Sequence, residues 1–166
     1  MNQVKPISID GEGFDIVKNA VIDLINQYPG MEDRKVSYMG LTEESGISIE
    51  PESGALIYSQ SKDIVGNVVQ KCQFPFFVVY RSGASSEYQK LNINDFLDTL
   101  GAWVCREPVQ IDGVSHRLSS YPKMSGNRRI TDVVRFNSYA LAPNQNGTQD
   151  WVIPITVNYI HEFESW

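Results

Sequence analysis

Residues that could carry out hydrolytic chemistry lie close together in one stretch of the chain. His116 is followed by Arg117, Ser119 and Ser120, and an imidazole that takes the proton of a nearby serine hydroxyl makes that serine a nucleophile. The chain has no GxSxG sequence, which in many hydrolases places the serine on a sharp turn between a strand and a helix. Only the residue types therefore support a hydrolase, and we expect no catalytic centre.

Signals for cofactors and metals are weaker still. Gly11 and Gly13 lack the third glycine of a dinucleotide-binding loop, and no GxxxxGK[ST] sequence is present. No group of histidines and cysteines has zinc-site spacing, and no acidic run has the spacing of a calcium loop. His161 alternates with Tyr159 and Phe163 along an apolar run, so it is predicted to be a structural imidazole. We expect no cofactor, no metal and no enzymatic activity.

The clearest pattern is an uneven distribution of charge. The segment from Thr42 to Ser53 contains four glutamates and no basic residue, whereas the segment from Gly113 to Thr131 contains four basic residues and no acid. One interpretation is that both are solvated loops that never meet. The other is that the basic loop of one copy contacts the acidic segment of the next, as in a head-to-tail ring. That interpretation predicts a subunit interface containing Glu43, Glu44, Glu50, Glu52, Lys123, Arg128 and Arg129.

Length and composition indicate one soluble globular domain that spans residues 1–166. Hydrophobic residues make up 42% of the chain and charged residues 20%, which argues against disorder. The net charge of −6 disfavours a surface that attracts nucleic acid or an anionic membrane. The amino terminus lacks the apolar block of a secretory signal, and no run approaches the ~20 apolar residues of a membrane span. We therefore expect an intracellular protein whose cysteines, Cys72 and Cys105, are reduced.

Two segments have the apolar spacing of amphipathic helices. Residues 14–28 place apolar side chains on one core-facing stripe. Residues 93–106 form the second helix, with Asn92 as its expected amino-terminal cap. Leu100 lies on the apolar stripe of this second helix, whereas Asp98 is predicted to be exposed.

The rest of the chain is predicted to be mostly strand. Residues 66–81 form a long run whose second half is apolar on both faces, as in a strand that is covered on both sides. Pro75 within it cannot donate a ladder hydrogen bond, so a bulge or an edge is expected there. Residues 110–127 form the sizeable irregular loop. The other strand candidates are residues 35–39, 46–50, 55–59, 130–142 and 149–163.

The last two strand candidates are predicted to form a hairpin. Asn146 and Gly147 between them suit a tight turn, and residues 149–163 alternate apolar and polar side chains along one long strand. Together with the helices, this order predicts an α+β fold. We expect a mainly antiparallel or mixed sheet with two helices packed on one face and a long carboxy-terminal β-hairpin.

These elements resemble those of the tail-terminator and minor-capsid (head–tail joining) proteins of tailed bacteriophages that infect low-GC Gram-positive hosts. The resemblance rests on three passages: FDIVKNAVIDLINQYPG near the amino terminus, VVQKCQFPFFVVYRSGAS followed by INDFLDTLGAWV in the middle, and WVIPITVNYIHEFE at the end. The passages span most of residues 14–164, and they match in element order and residue class rather than in a catalytic motif.

The resemblance implies a structural protein with no catalytic residues. Such proteins are expected to assemble as a hexameric ring on the finished tail tube, to stop tube growth and to present a surface to the head connector. DNA passes only through the central channel, and no membrane is a partner. The expected location is the bacterial cytoplasm during assembly and the virion afterwards. The alternatives are another head–tail connector or stopper protein, or a small-molecule-binding or hydrolytic α+β domain.

Overall fold

Two helices and ten strands make up the described part of the chain, which in this computed structural model comprises residues 5–42, 45–83 and 87–165 without the side chains of 87–90. The helices are α1 (Gly13–Asn26) and α2 (Glu87–Val104), and a short 3-10 turn follows α1 at Pro29–Met31. The strands are β1 (Ser8–Ile9), β2 (Ser37–Tyr38), β3 (Gly46–Pro51), β4 (Leu56–Lys62), β5 (Asn67–Ser82), β6 (Val109–Ile111), β7 (Val114–His116), β8 (Arg128–Arg135), β9 (Tyr139–Ala140) and β10 (Gln149–Glu164).

The two longest strands, β5 and β10, form the middle of the main sheet. They pair antiparallel over sixteen residues each, from Gln149 opposite Ser82 to Glu164 opposite Asn67. β3 and β4 share the other edge of β5, with β2 and β1 outside them, and β8 and β9 pair with β10. Among these described strands only the β2–β3 pairing is parallel. The predicted α+β fold with a mainly antiparallel sheet and a carboxy-terminal hairpin is therefore confirmed.

Both helices pack on the same face of this sheet. The ring centroid of Phe14, at the start of α1, lies 5.8 Å from that of Phe74, and the ring centroid of Phe96 in α2 lies 5.6 Å from that of Tyr80. Phe74 and Tyr80 are an even number of residues apart on β5, so their side chains point to one face. The apolar stripes of both helices are buried against that face, as the sequence predicts.

Pro75 lies where β5 changes partner on one edge. Its carbonyl accepts a hydrogen bond from the Glu52 amide, between the last β3 pair at Phe76 and the first β4 pair at Gln73. The nitrogen and carbonyl of one extended residue point to the same edge, so the proline nitrogen faces the gap between β3 and β4. The missing N–H of Pro75 therefore removes no hydrogen bond from the ladder. The predicted edge therefore exists locally, while the register against β10 continues without a bulge.

The second helix starts earlier than predicted. α2 begins at Glu87, so Asn92 lies inside the helix and is not its cap. Leu91 is exposed and Ile93 is buried, so the apolar spacing begins at Ile93. Exposed residues such as Leu91 and Asn92 add nothing to an apolar stripe, so the pattern does not mark where the helix starts.

The predicted strand at residues 130–142 is interrupted. β8 ends at Arg135, and β9 begins only at Tyr139. At the break, the Ser138 amide donates a hydrogen bond of 2.8 Å to the carboxylate of Asp98 on α2. The prediction that Asp98 is exposed is therefore wrong, because its side chain is half-buried and accepts this hydrogen bond.

Two tight turns depend on residues in the left-handed conformation. The predicted loop at residues 110–127 contains the hairpin of β6 and β7, in which Asp112 and Gly113 have φ angles of 51° and 77°. Before β10, Gly147 has a φ of 87°, and its amide donates to the Asn144 carbonyl over 3.0 Å. The predicted loop is thus partly ordered as strand, and the predicted hairpin turn forms.

Candidate assembly interface

The predicted hydrolytic residues are not arranged as a catalytic group. His116 ends β7, and Ser119 and Ser120 follow it in an extended segment. Within the described residues, no hydrogen bond joins His116 to either serine. Arg117 donates from Nε to the carbonyl of Arg106 over 2.9 Å, which ties this segment to the end of α2.

His161 has the structural role that its position predicts. Its Nδ1 lies 3.0 Å from Oε1 of Gln70, and its ring centroid lies 4.7 Å from that of Phe163. Burial, together with the nearby charge of Arg128, lowers the pKa of His161 below its ordinary 6.5, so the imidazole is neutral at pH 7. Across the described residues, no cluster of histidine, cysteine or acidic side chains is placed to hold a metal ion.

Arg128, one of the predicted interface residues, is buried inside the protomer. Its side chain is 3% exposed, and its Nη2 and Nε lie 2.7 and 3.0 Å from the two carboxylate oxygens of Asp10. Nη1 donates to the Gly126 carbonyl, and the Tyr159 hydroxyl donates to the same Asp10 carboxylate over 2.7 Å. The basic loop therefore has an acidic partner in its own chain, and Arg128 does not present its charge to a neighbour.

The cluster of Asp10, Arg128 and Tyr159 keeps Asp10 ionised. Burial alone raises the pKa of a carboxyl group, but the hydrogen bonds from Arg128 and Tyr159 outweigh it and leave the pKa of Asp10 below its ordinary 3.8. Burial also raises the pKa of the Tyr159 hydroxyl, and it raises the pKa of the neighbouring Cys72 thiol to about 11. Cys72 is therefore a protonated thiol of low reactivity at neutral pH.

The other two basic residues of the predicted interface are exposed. Lys123 lies in the segment before β8, and the Arg129 side chain is 65% exposed. Nη2 of Arg129 lies 3.4 Å from Oε1 of Glu162 on β10. Because this pair is open to solvent, the Arg129 charge remains accessible to another molecule.

The acidic residues of the predicted interface are only partly described. Glu50 is half-buried on β3 and accepts a hydrogen bond of 2.9 Å from the Ser48 hydroxyl, while Glu52 is exposed just after β3. Glu43 and Glu44 lie outside the described residues, so their place in an interface stays a prediction.

The sheet face opposite the helices has no helical layer in the described part of the chain. Directly paired residues share a face, so Phe77 with Pro154, and Val79 with Val152, point away from the helices. We refer to this surface as the open face. Neither α1 nor α2 covers it, but Val79 and Val152 at its centre are buried, at 7% and 4% exposure, whereas Phe77 and Pro154 are half-buried.

Large apolar side chains are exposed along one edge of the open face. Val134, which pairs with Thr156, is 46% exposed, and Phe136, two residues further along, is 69% exposed. The Phe136 amide donates to the Pro154 carbonyl, which keeps this residue beside β10. Contiguous exposed apolar surface of this kind marks interaction sites. We refer to Phe77, Pro154, Val134 and Phe136 as the apolar band.

The open face brings together one acidic and one basic residue of the predicted interface. Glu50 lies opposite Phe77, near one end of the face. Arg129 and Lys71 flank Ile160 across the sheet, near the other end. At about 3.3 Å per residue the two ends are roughly 20 Å apart along the strands. Glu50 and Arg129 thus occupy opposite corners of one surface.

Sequence reasoning missed the exposed residues of this surface. The sequence predicts that residues 76–80 are apolar on both faces of a strand, and in β5 these residues do place apolar side chains on both faces. It did not single out Val134 or Phe136, because a short apolar run does not show which of its sides meets the core. The signal that could have found them is their alternation with Val133 and Arg135, taken together with the single helical layer.

The sequence matches no protein-family model. No curated protein is detectably similar to it. Neither α1 nor α2, over the described residues, combines the length and apolar character that a membrane crossing requires. The geometry of the open face is therefore the basis for a functional proposal.

Proposed function

We propose that this protein is a structural component of a bacteriophage or prophage particle, of the tail-terminator type, and that it works by assembling into a ring. The observation that carries the proposal is the open face, whose apolar edge at Val134 and Phe136 is exposed to solvent. Such a face is stabilised when a second layer packs on it. Another copy of the chain supplies that layer in a self-assembling protein.

The open face provides part of the area that such a contact needs, because its buried centre adds little. Strands β3, β5, β10 and β8, at about 4.8 Å between strands and about 3.3 Å per residue, project an area on the order of 500 Å². A stable interface buries about 800 Å² on each partner. Apolar burial, at about 25 cal/mol per Å², holds the contact, and exposed ion pairs, worth about 0–1 kcal/mol each, set its register.

In the proposed role, a hexameric ring sits on the end of the tail tube and stops its growth. Its partners are copies of itself, the tail-tube protein and the head connector, first in the bacterial cytoplasm and then in the virion. DNA passes through the channel without a specific contact. The net charge of −6 supports this part of the proposal, because negative charge along a channel repels DNA phosphates.

The first test is the assembly state of the full chain. We expect light scattering to give a mass that rises with concentration to a defined oligomer, and electron microscopy to show closed rings with a central channel. A protein that stays monomeric at every concentration, both alone and with isolated tail tubes, would contradict the proposal.

Depletion of the protein from a phage-producing strain separates a terminator from another connector protein. Loss of a terminator leaves tubes of uncontrolled length, because nothing stops polymerisation. Loss of a connector or stopper leaves tails of normal length that do not join heads. The second phenotype would contradict the terminator role and support the connector or stopper role.

A small-molecule-binding or hydrolytic function gains no support from the described surface. A depression of about 850 Å³ beside the ends of β5 and β10 is lined in part by Asn67, Arg129 and Glu162. These groups are already paired, Arg129 with Glu162 and Asn67 with Asp63. A ligand site needs polar groups that converge on the ligand, and Asn67 is turned to Asp63 instead.

A further inference from the structure

The turn between β4 and β5 presents two neighbouring aliphatic side chains to solvent. Ile64 is fully exposed and Val65 is 74% exposed. We refer to these two residues as the tip. Burial of an aliphatic side chain of this size is favourable by about 1.5–3 kcal/mol. An exposed pair at the end of a hairpin is therefore a surface that association can bury.

Asp63 holds the tip in one conformation. Its carboxylate accepts hydrogen bonds of 2.8 to 3.0 Å from the amides of Val65 and Asn67 and from the side-chain amide of Asn67. Gly66 has a φ of 94°, which favours glycine, and its carbonyl accepts a hydrogen bond of 2.8 Å from the Ser165 amide. The tip is thus pre-organised, so its docking costs little conformational entropy.

The tip lies far from the apolar band of its own chain. Along β5, the distance from Gly66 to Phe77 is roughly 35 Å at about 3.3 Å per residue. The hydrogen bonds of Asp63 and Ser165 hold the turn in line with β5 and β10, so it does not fold back onto that band. The apolar band that the tip can reach is that of a second copy.

Charges near the two surfaces favour one alignment. Lys62 beside the tip and Lys71 on β5 have no ion-pair partner in the described part of the chain. Glu50 on β3 and Asp132 on β8 border the apolar band on either side. Glu164, at the end of β10, makes the charge around the tip mixed rather than uniformly basic. Exposed pairs are worth about 0–1 kcal/mol, so they set the register while apolar burial holds the contact.

We propose that the tip of one copy docks on the apolar band of the next copy, with Lys62 directed toward the carboxylate of Asp132. The contact joins two different surfaces, so it repeats head to tail and closes when the rotation between neighbours allows a ring. This inference rests on the proposed self-assembly, and it adds the identity of the two surfaces that meet. Burial of the tip also contributes area that the open face alone does not supply.

Three variants of the full chain test this contact. The tip variant carries Ile64→Asp and Val65→Asp, and the band variant carries Val134→Asp and Phe136→Asp. The control carries Val114→Asp, because Val114 is also an exposed valine but lies on the separate β6–β7 hairpin. We expect the tip and band variants to be monomeric by light scattering and the control to assemble like the parent. Circular dichroism checks the fold, and serine replaces aspartate at the same positions if an aspartate variant unfolds.

A one-to-one mixture of the tip and band variants is the decisive measurement. The band variant retains a tip, and the tip variant retains a band, so one good contact can form between the two. We expect dimers and no larger species, because each dimer ends in two damaged surfaces. A mixture that stays monomeric would overturn the head-to-tail contact.

Other outcomes separate this inference from the proposed function. If the tip variant assembles like the parent, the docking contact is wrong while self-assembly stands. If the tip variant self-associates but no longer binds tail tubes, the tip belongs to a contact with the tube protein, which also overturns the inference. If the parent itself never associates, both proposals fail.

Discussion

Arg128 donates hydrogen bonds of 2.7 and 3.0 Å to the two carboxylate oxygens of Asp10, although the residues are 118 positions apart in the sequence. The Gly13 amide, in the first turn of α1, donates to the same carboxylate over 3.0 Å. The pair therefore joins the segment before α1 to the start of β8. Because both side chains are at most 5% exposed, water cannot replace either partner after a substitution.

Arg128→Ala is expected to lower the free energy of unfolding by about 3–5 kcal/mol, because it leaves the Asp10 carboxylate buried and unpaired. Arg129→Ala is the matched control, since Arg129 is exposed, and we expect it to cost less than about 1 kcal/mol. Urea unfolding of both variants measures the difference. Equal losses would contradict the placement of Arg128 in the interior of the protomer.

Acid is expected to weaken the protein through Asp10. The pKa of Asp10 is below its ordinary 3.8 in the folded protein, so the folded state favours the ionised form. This contribution to stability is complete above the unfolded-state pKa and is lost as the pH falls below about 4 through the folded-state value. Asp10→Asn should be less stable than the parent at pH 7 and should lose less stability between pH 5 and pH 3, as urea unfolding at each pH would show. If the free energy of unfolding of the variant falls between pH 5 and pH 3 as steeply as that of the parent, the role of Asp10 is contradicted.

The core position of α2 can be tested with three alanine variants. Leu100→Ala is expected to cost about 2–5 kcal/mol, because Leu100 is fully buried. Asn92 is exposed, so Asn92→Ala should change the free energy of unfolding by no more than about 0.5 kcal/mol. Asp98→Ala should fall between them, at about 1–2 kcal/mol, because it removes the acceptor of the Ser138 amide. Thermal or urea unfolding gives the ranking, and equal small losses at Leu100 and Asn92 would contradict the packing of α2.

The helices and long strands could be predicted because their apolar side chains repeat with the period of the element. Leu100 and Tyr159 carry this signal and are buried. The Asp10–Arg128 pair could not be predicted, because a basic run has the same local pattern whether its residues are solvated or paired with a distant acid. The exposure of Phe136 was equally hidden, since it depends on which face of β8 the helices cover. Residue spacing specifies an element, but the partner of that element is set by long-range packing.

Reversal of the exposed basic charges is expected to weaken association without unfolding the protomer. Lys123→Glu with Arg129→Glu should reduce the association constant roughly three- to tenfold at low salt, because exposed ion pairs are weak and screened. Adding Glu50→Lys and Glu52→Lys to the same chain should restore part of it, since opposite charges would face each other again. Arg128 is left unchanged because its loss destabilises the fold. Sedimentation at low and high salt measures the effect, and an unchanged constant at low salt would contradict the charge-matched register.

The position of β10 also determines how the chain folds. The strand that fills the middle of the sheet comes after all its partners in the sequence, and the Arg81–Asp150 ion pair across the β5–β10 ladder joins residues 69 positions apart. Topologies dominated by such distant pairings fold in roughly milliseconds to seconds, because loop closure precedes the contacts that reward it. Until β10 inserts, β5 and β8 have unpaired apolar edges that are prone to aggregate. We therefore expect the insertion of this one strand to limit the rate of refolding.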